Sequence, residues 1–167
     1  GYYSSRPESL AYGNGGFAGV SQSAAWRSED GLRWESLGRL ELSDMTAVDG
    51  ALLVKHMIGD GWHGGYFEIR SSTNLVDWRT EQSGSFGGRT GRSLISENGV
   101  VGDVRSGELQ LRSPDETWIR VALTNGFFWD MAAGAGQWVA VGSFDDQVTG
   151  QNRPVVYRSL DAETWEA

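Results

Sequence analysis

The stretch Arg27-Ser28-Glu29-Asp30-Gly31-Leu32-Arg33-Trp34 returns three more times along the chain. The second copy is Arg70-Ser71-Ser72-Thr73-Asn74-Leu75-Val76-Asp77-Trp78, the third Arg112-Ser113-Pro114-Asp115-Glu116-Thr117-Trp118, and the fourth Arg158-Ser159-Leu160-Asp161-Ala162-Glu163-Thr164-Trp165. The Arg-Ser pairs recur at intervals of 43, 42 and 46 residues. A motif repeated at nearly constant spacing means four copies of one supersecondary unit rather than a single irregular core.

Each unit has the same internal plan. A short apolar run, a turn containing Gly and a second apolar run come first, as in Met45-Thr46-Ala47-Val48, Asp49-Gly50 and Leu52-Leu53-Val54. Asn98-Gly99 and Gly134-Ala135-Gly136 occupy the same place in units three and four, and Asn-Gly or Asp-Gly between apolar runs is the strongest short-range hairpin signal. A third run follows, with apolar and polar residues alternating in Tyr66-Phe67-Glu68-Ile69-Arg70 and Glu108-Leu109-Gln110-Leu111-Arg112. The repeated motif comes next, and its Trp opens a fourth run. Four short antiparallel strands every ~40 to 45 residues predict an all-β chain, a β-propeller of four four-stranded antiparallel blades. The blades fall at about residues 8–38, 44–83, 91–123 and 128–167, in a small closed ring or half of a larger one. Unit four reaches only the opening of its last strand, and residues 1–7, with Tyr2 and Tyr3, are the candidate closing strand.

Composition narrows the function classes. With 24 Gly, 3 Pro and no Cys, disulfide frameworks, thiolate metal sites and cysteine nucleophiles are excluded. A net charge of -8, with Lys55 the only lysine, argues against nucleic acid as a partner, because phosphate binding needs clustered cations. No apolar run approaches the ~18 residues of a membrane-spanning helix, so membrane insertion by a helix is not expected. Freedom from cysteine fits an extracytoplasmic, periplasmic or secreted protein.

The motif Ser-x-Asp-(Gly)-x-x-Trp between two strands resembles the Asp-box, or bacterial neuraminidase repeat, of sialidases, two-domain xyloglucanases, sortilin-type receptors and photosystem II assembly factors. The resemblance implies a structural hairpin, carried here by Ser28, Asp30, Gly31 and Trp34, by Ser71 and Trp78, by Ser113, Asp115 and Trp118, and by Ser159, Asp161 and Trp165. Copies three and four lack the Gly. Copy two departs furthest, with Thr73-Asn74 where the acidic residue would fall and one extra residue before Trp78. Ser and Asp side chains satisfy turn amides locally, so these carboxylates are expected to be structural rather than catalytic. In such propellers the boxes lie opposite the ligand-binding face, which is built from strand 2–3 connections.

Those connections are short in units one and three and long in units two and four. The long ones are Ile58-Gly59-Asp60-Gly61-Trp62-His63-Gly64-Gly65 and 144–154, and loops on a rigid scaffold are where binding residues concentrate. The candidate ligand-binding residues are therefore Asp60, Trp62, His63, Phe144, Asp145, Asp146 and Arg153. An enzyme reading, glycoside hydrolysis of the sialidase kind, would draw on Arg6, Arg89, Arg92 and Arg153 and on Tyr157. It lacks the Arg-Ile-Pro motif, and Arg27, Arg70, Arg112 and Arg158 follow the repeat instead of breaking it, as blade architecture does. No cofactor is implied; calcium is the ion that Asp60, Asp145 and Asp146 would favour, with His63 a further donor. The expectation is a non-catalytic binding or scaffold propeller recognising a protein or carbohydrate, with self-association through open blade edges as a further possibility.

Overall fold

A computed structural model describes residues 9–13, 15–20, 24–38, 44–59, 64–87 and 94–167. Fifteen strands and no helix make up the described secondary structure. Blades one and two form one compact unit, blades three and four a second.

In the first unit, β1 (Ser9–Gly13), β2 (Gly16–Val20), β3 (Ala25–Ser28) and β4 (Glu35–Gly38) form one antiparallel sheet in chain order. The second sheet holds β5 (Asp44–Val48), β6 (Ala51–Gly59), β7 (Gly65–Ser72) and β8 (Arg79–Phe86), again in order. Asp49 and Gly50 both take positive φ, 48° and 76°, as the two-residue turn between twisted strands requires. Ala18, Val20 and Ala25 of blade one pack with Met45, Leu52 and Val54 of blade two, all 5% exposed or less. Leu37, Leu75 and Trp78 border this core.

In the second unit, β9 (Leu94–Glu97), β10 (Val100–Arg105), β11 (Glu108–Arg112) and β12 (Trp118–Val121) form blade three. Blade four is β13 (Gly126–Gly134), β14 (Gln137–Asp146) and β15 (Gln151–Ser159). Its fourth strand is reduced to one bridge, Arg158 to Glu166, with backbone hydrogen bonds of 2.8 and 2.9 Å. The core of this unit gathers Val104, Leu109 and Leu111 from blade three with Phe128, Met131, Trp138, Ala140 and Tyr157 from blade four. β13 starts at Gly126, two residues earlier than expected, because its first residues pair with Phe144 and Ser143 far along β14. Residues 1–7 and their proposed closing role lie outside the described residues.

Candidate functional site

The repeated motif builds the same turn in blades one, two and four and a shorter version of it in blade three. Ser28 Oγ accepts the Gly31 amide at 2.8 Å and donates to Asp30 Oδ1 at 3.2 Å, while that carboxylate oxygen accepts the amides of Leu32 and Arg33, each at 2.8 Å. Asp161 does the same with the amides of Glu163 (2.9 Å) and Thr164 (2.7 Å) and the hydroxyl of Ser159 (2.9 Å). The indole N–H of Trp34 closes the loop onto Gly31 O and that of Trp165 onto Ala162 O. In copy three, one residue shorter, Ser113 donates to Asp115, which accepts the Thr117 amide at 3.2 Å. Trp118 lies beneath the Arg105 guanidinium, 5.8 Å from its ring centre. The position after the acidic residue takes φ near +70° in every copy, at Gly31, Leu75, Glu116 and Ala162, so the turn holds its shape without Gly.

Copy two corrects the sequence alignment. Ser72, not Ser71, holds the serine place: its Oγ accepts the Leu75 amide at 2.8 Å and donates to Asn74 Oδ1 at 3.2 Å. Asn74 Oδ1 accepts the amides of Val76 and Asp77, both at 2.9 Å, as Asp30 does for Leu32 and Arg33. No extra residue precedes Trp78; the additional one precedes Ser72. One residue of offset turns a strand side chain to the opposite face. Arg70 is thereby out of step with Arg27 and pairs instead with Glu68 at 2.5 Å, with Thr80 donating to the same carboxylate at 2.7 Å. Because Asn replaces Asp with the same amide contacts, the turn needs an oxygen acceptor and not a charge. Ser72→Ala is expected to lower stability by about 1 kcal/mol, against under ~0.5 kcal/mol for Ser71→Ala, read from urea midpoints.

These contacts set the titration of the carboxylates. The Thr164 amide, the Ser159 hydroxyl and the Glu163 amide hold Asp161 down to about 2. Asp30 is lowered, chiefly by the amides of Arg33 and Leu32, and Asp115 chiefly by the Ser113 hydroxyl. A carboxylate depressed in the folded state stabilises it fully above its unfolded value, roughly pH 4. That contribution disappears as pH falls through the folded value. The thermal midpoint is therefore expected to be insensitive to these three groups from pH 7 to 5 and to drop between roughly pH 4 and about 2, followed by circular dichroism.

The candidate binding residues divide. Asp60, Trp62 and His63 lie outside the described residues. Phe144, Asp145, Asp146 and Arg153 do not form an irregular loop: β14 and β15 stay paired as far as Asp146 and Gln151, and only residues 147–150 turn. The reason is local. Asp146 Oδ1 accepts the amides of Val148 (3.0 Å) and Thr149 (3.2 Å), and Gly150 donates to the Asp146 carbonyl at 2.7 Å. The Thr149 hydroxyl and these amides hold the Asp146 carboxyl below the usual carboxylate range, and Arg153 stands 3.4 Å from Oδ2. Asp145 anchors the hairpin by donating its amide to Asn125 O at 2.7 Å, and its side chain accepts from Gln147 at 3.4 Å. Phe144 is 40% exposed and Val148, which sequence reasoning passed over, is 94% exposed.

Tyr157, available to a hydrolase reading, is 4% exposed and donates its hydroxyl to Ser143 O at 3.1 Å; burial pushes its pKa up. Among the described residues no three His, Asp or Glu side chains converge as a metal site. Asp103 and Arg105, paired at 2.6 Å and nearly inaccessible, also escaped sequence reasoning. Their i, i+2 spacing on a strand, which sets two opposite charges on one face, was the available signal.

No protein-family model and no curated protein matches the sequence. Solved structures do. PorZ of Porphyromonas gingivalis, a surface component of the type-IX secretion system, superposes with a TM-score of 0.55 at 8% identity, over 89% of this chain and 20% of PorZ. The N-terminal domain of Nup159 gives 0.54 at 12% identity, over 92% of this chain and 44% of that one. GH43B of the Bacteroides ovatus xyloglucan PUL gives 0.49 at 14% identity, over 95% of this chain and 39% of that one. The chain thus spans under half the length of each of these three proteins. With its four antiparallel sheets in chain order, it is an all-β protein of the β-propeller class.

Proposed function

We propose that this is an Asp-box propeller domain that works by binding, a non-catalytic scaffold outside the cytoplasm that recognises a protein or glycan through its strand 2–3 connections. The observation that carries this reading is the β14–β15 hairpin. Its counterpart in blade three, β10–β11, ends at the two-residue turn Ser106-Gly107, whereas β14–β15 runs on through Phe144, Asp145 and Asp146. The extension presents Phe144, Val148 and Arg153 on a paired, capped backbone, so little ordering entropy is lost when a partner engages it. Exposed apolar side chains beside a cation suit an anchor for a protein surface or a sugar face. Four of the described carboxylates, Asp30, Asp115, Asp146 and Asp161, already serve turn amides, which favours binding over acid–base work. The extracytoplasmic assignment draws on the absence of cysteine and on the surface location of PorZ. Asp60, Trp62 and His63 are proposed to contribute on the same footing.

The test pairs a glycan array and an array of surface-exposed proteins with a hairpin variant, Phe144→Ser with Val148→Asp. The parent chain is expected to give a ligand whose affinity falls at least ~10-fold in the variant at an unchanged urea midpoint, the loss of one anchor of about 1.4 kcal/mol. Release of umbelliferone from sialoside, xyloside or arabinofuranoside substrates by the parent chain would overturn the reading and place the chain among the hydrolases.

A further inference from the structure

In each unit a short blade is followed by a tall one. Strand two of the tall blade is four residues longer than that of its neighbour, nine against five for β6 and β2 and ten against six for β14 and β10. In the first unit the last row of blade one, Ser9 with Val20, lies level with Met45 and Val54 of blade two, where Ser9 Oγ donates to Met45 O at 3.5 Å. His56 and Ile58 carry the Val54 face of β6 onward by two and four residues, about 7 and 13 Å along the strand. In the second unit Gly107 O fastens the turn of blade three to the Phe128 amide, and Phe128 pairs with Gly142. Phe144 stands two residues beyond that level on the same face. Below the step the short blade covers the tall one, and Val54 and Ala140 are 1% exposed. Above it Ile58 is 58% and Phe144 40% exposed. These two hold one place in the repeat, each seven residues past Ala51 or Gln137, which close the first hairpin of their blades. Each unit thus carries a step, with the short blade as floor and the upper face of the tall blade as wall.

The two walls share a chemistry. On β7, next to β6 in the sheet, Tyr66, Glu68 and Arg70 alternate onto one face. Hydrogen bonds from Arg70 and Thr80, with the charge of His56 nearby, hold the Glu68 carboxyl below its usual range, which sets this row beside His56. Tyr66 is 43% exposed, and the Arg70 guanidinium is held by Glu68 at 2.5 Å. On the second wall Arg153 lies directly across from Phe144 and is matched by Asp146 at 3.4 Å. Both walls present an exposed aromatic ring beside an arginine whose charge is cancelled by a carboxylate on the same face.

That combination selects a class of ligand. A guanidinium already held by a carboxylate offers an anion little, and the net charge of -8 adds to the repulsion. A guanidinium only donates and a carboxylate only accepts, so the two side by side suit hydroxyl groups, which do both. The ring suits the apolar face of a molecule with a polar rim. A stable protein contact buries about 800 Å² per partner around an apolar centre, whereas each wall offers a single exposed ring. We propose that each step binds a neutral saccharide, one sugar ring lying on Tyr66 in the first unit and on Phe144 in the second, with hydroxyl groups shared between Arg70 and Glu68 or between Arg153 and Asp146. Such sites rest on the binding role proposed above, narrow its partner to an uncharged glycan and give it two places to bind.

The test is isothermal titration calorimetry with cellohexaose, xylohexaose and mannohexaose, and with hexagalacturonate as the acidic counterpart. At least one neutral hexaose is expected to bind at two sites per chain, and hexagalacturonate at neither. Tyr66→Ala and Phe144→Ala are each expected to leave one site intact and weaken the other at least ~10-fold, and the double variant to lose both. Both side chains are exposed, so the urea midpoints should stay at the parent's value; Tyr66→Leu and Phe144→Leu replace any variant that loses its cooperative transition. Binding of hexagalacturonate in preference to the neutral hexaoses overturns the inference. So does a neutral hexaose whose binding neither substitution changes, or a chain that captures a protein on the array and none of these saccharides; both outcomes leave the broader binding role standing. Hydrolysis of a glycoside, or the absence of any protein or glycan ligand, removes that role and the two sites with it.

Discussion

Phe128→Ala is expected to lower the stability of the second unit by about 3–5 kcal/mol, the upper range for emptying an aromatic site in a packed core. Phe128 is fully buried and meets Tyr157 and Trp165 edge to face, with ring centres 5.5 and 5.2 Å apart. The aromatic pairs add roughly 0.5–1.5 kcal/mol each to the area lost, and both disappear together. Its amide also donates to Gly107 O at 2.8 Å, fastening the turn of blade three to the first strand of blade four. That bond survives the substitution, so the loss should be one of packing alone. The measurement is a urea titration followed by circular dichroism, with a lower midpoint and an unchanged slope. Phe127→Ala is the control: that side chain is 36% exposed and should cost less than half as much.

Phe128 also illustrates what the sequence makes legible. It lies in the apolar run that opens unit four, and the structure buries it completely. Asn98-Gly99 and Asp49-Gly50 announce their hairpins through a backbone preference that no tertiary contact overrides, and the φ values agree. Local chemistry repeated four times is what sequence reads well. The failures share a different cause. Ser71 and Ser72 are adjacent and chemically identical, and alignment on the Arg-Ser pair selects the first, whereas the six-residue step to the Trp, as in Ser28 to Trp34 and Ser159 to Trp165, selects Ser72, as the turn amides do. The stretch from Phe144 to Pro154 is polar and lacks alternation, so it reads as a loop, yet Asp146 caps a tight turn and the ladder continues. A pairing decided by one capping side chain leaves almost no periodic trace. The candidate site shares that weakness, since Phe144 and Arg153 sit where a well-formed hairpin places them, and Val148 carries no motif.

Gly142→Ala gives the second large effect, through backbone instead of side-chain packing. Gly142 pairs with Phe128 where the register of β13 against β14 slips between Phe128 and Asp130, leaving Trp129 as the bulged residue. A bulge twists and bends its strand locally, which brings the two backbones closer than a regular ladder allows. A Cβ at Gly142 would stand 2.2 Å from the Phe127 carbonyl oxygen and 3.2 Å from Phe128 Cα. Neither is the far end of a flexible side chain, so relief must come from separating β13 from β14. That separation would disturb the ladder on both sides of the bulge and shift Phe128 from its contacts with Tyr157 and Trp165. The expected loss is about 3 kcal/mol or more, at the top of the range for overpacking, and it should be accompanied by faster hydrogen exchange at β13 amides. Gly134→Ala, at a position where an added Cβ meets nothing within 4 Å, should leave both readouts near the parent's. If the two variants behaved alike, the close approach at the bulge would not be what requires glycine at 142, and the coupling between the bulge and the Phe128 cluster would have to be abandoned with it.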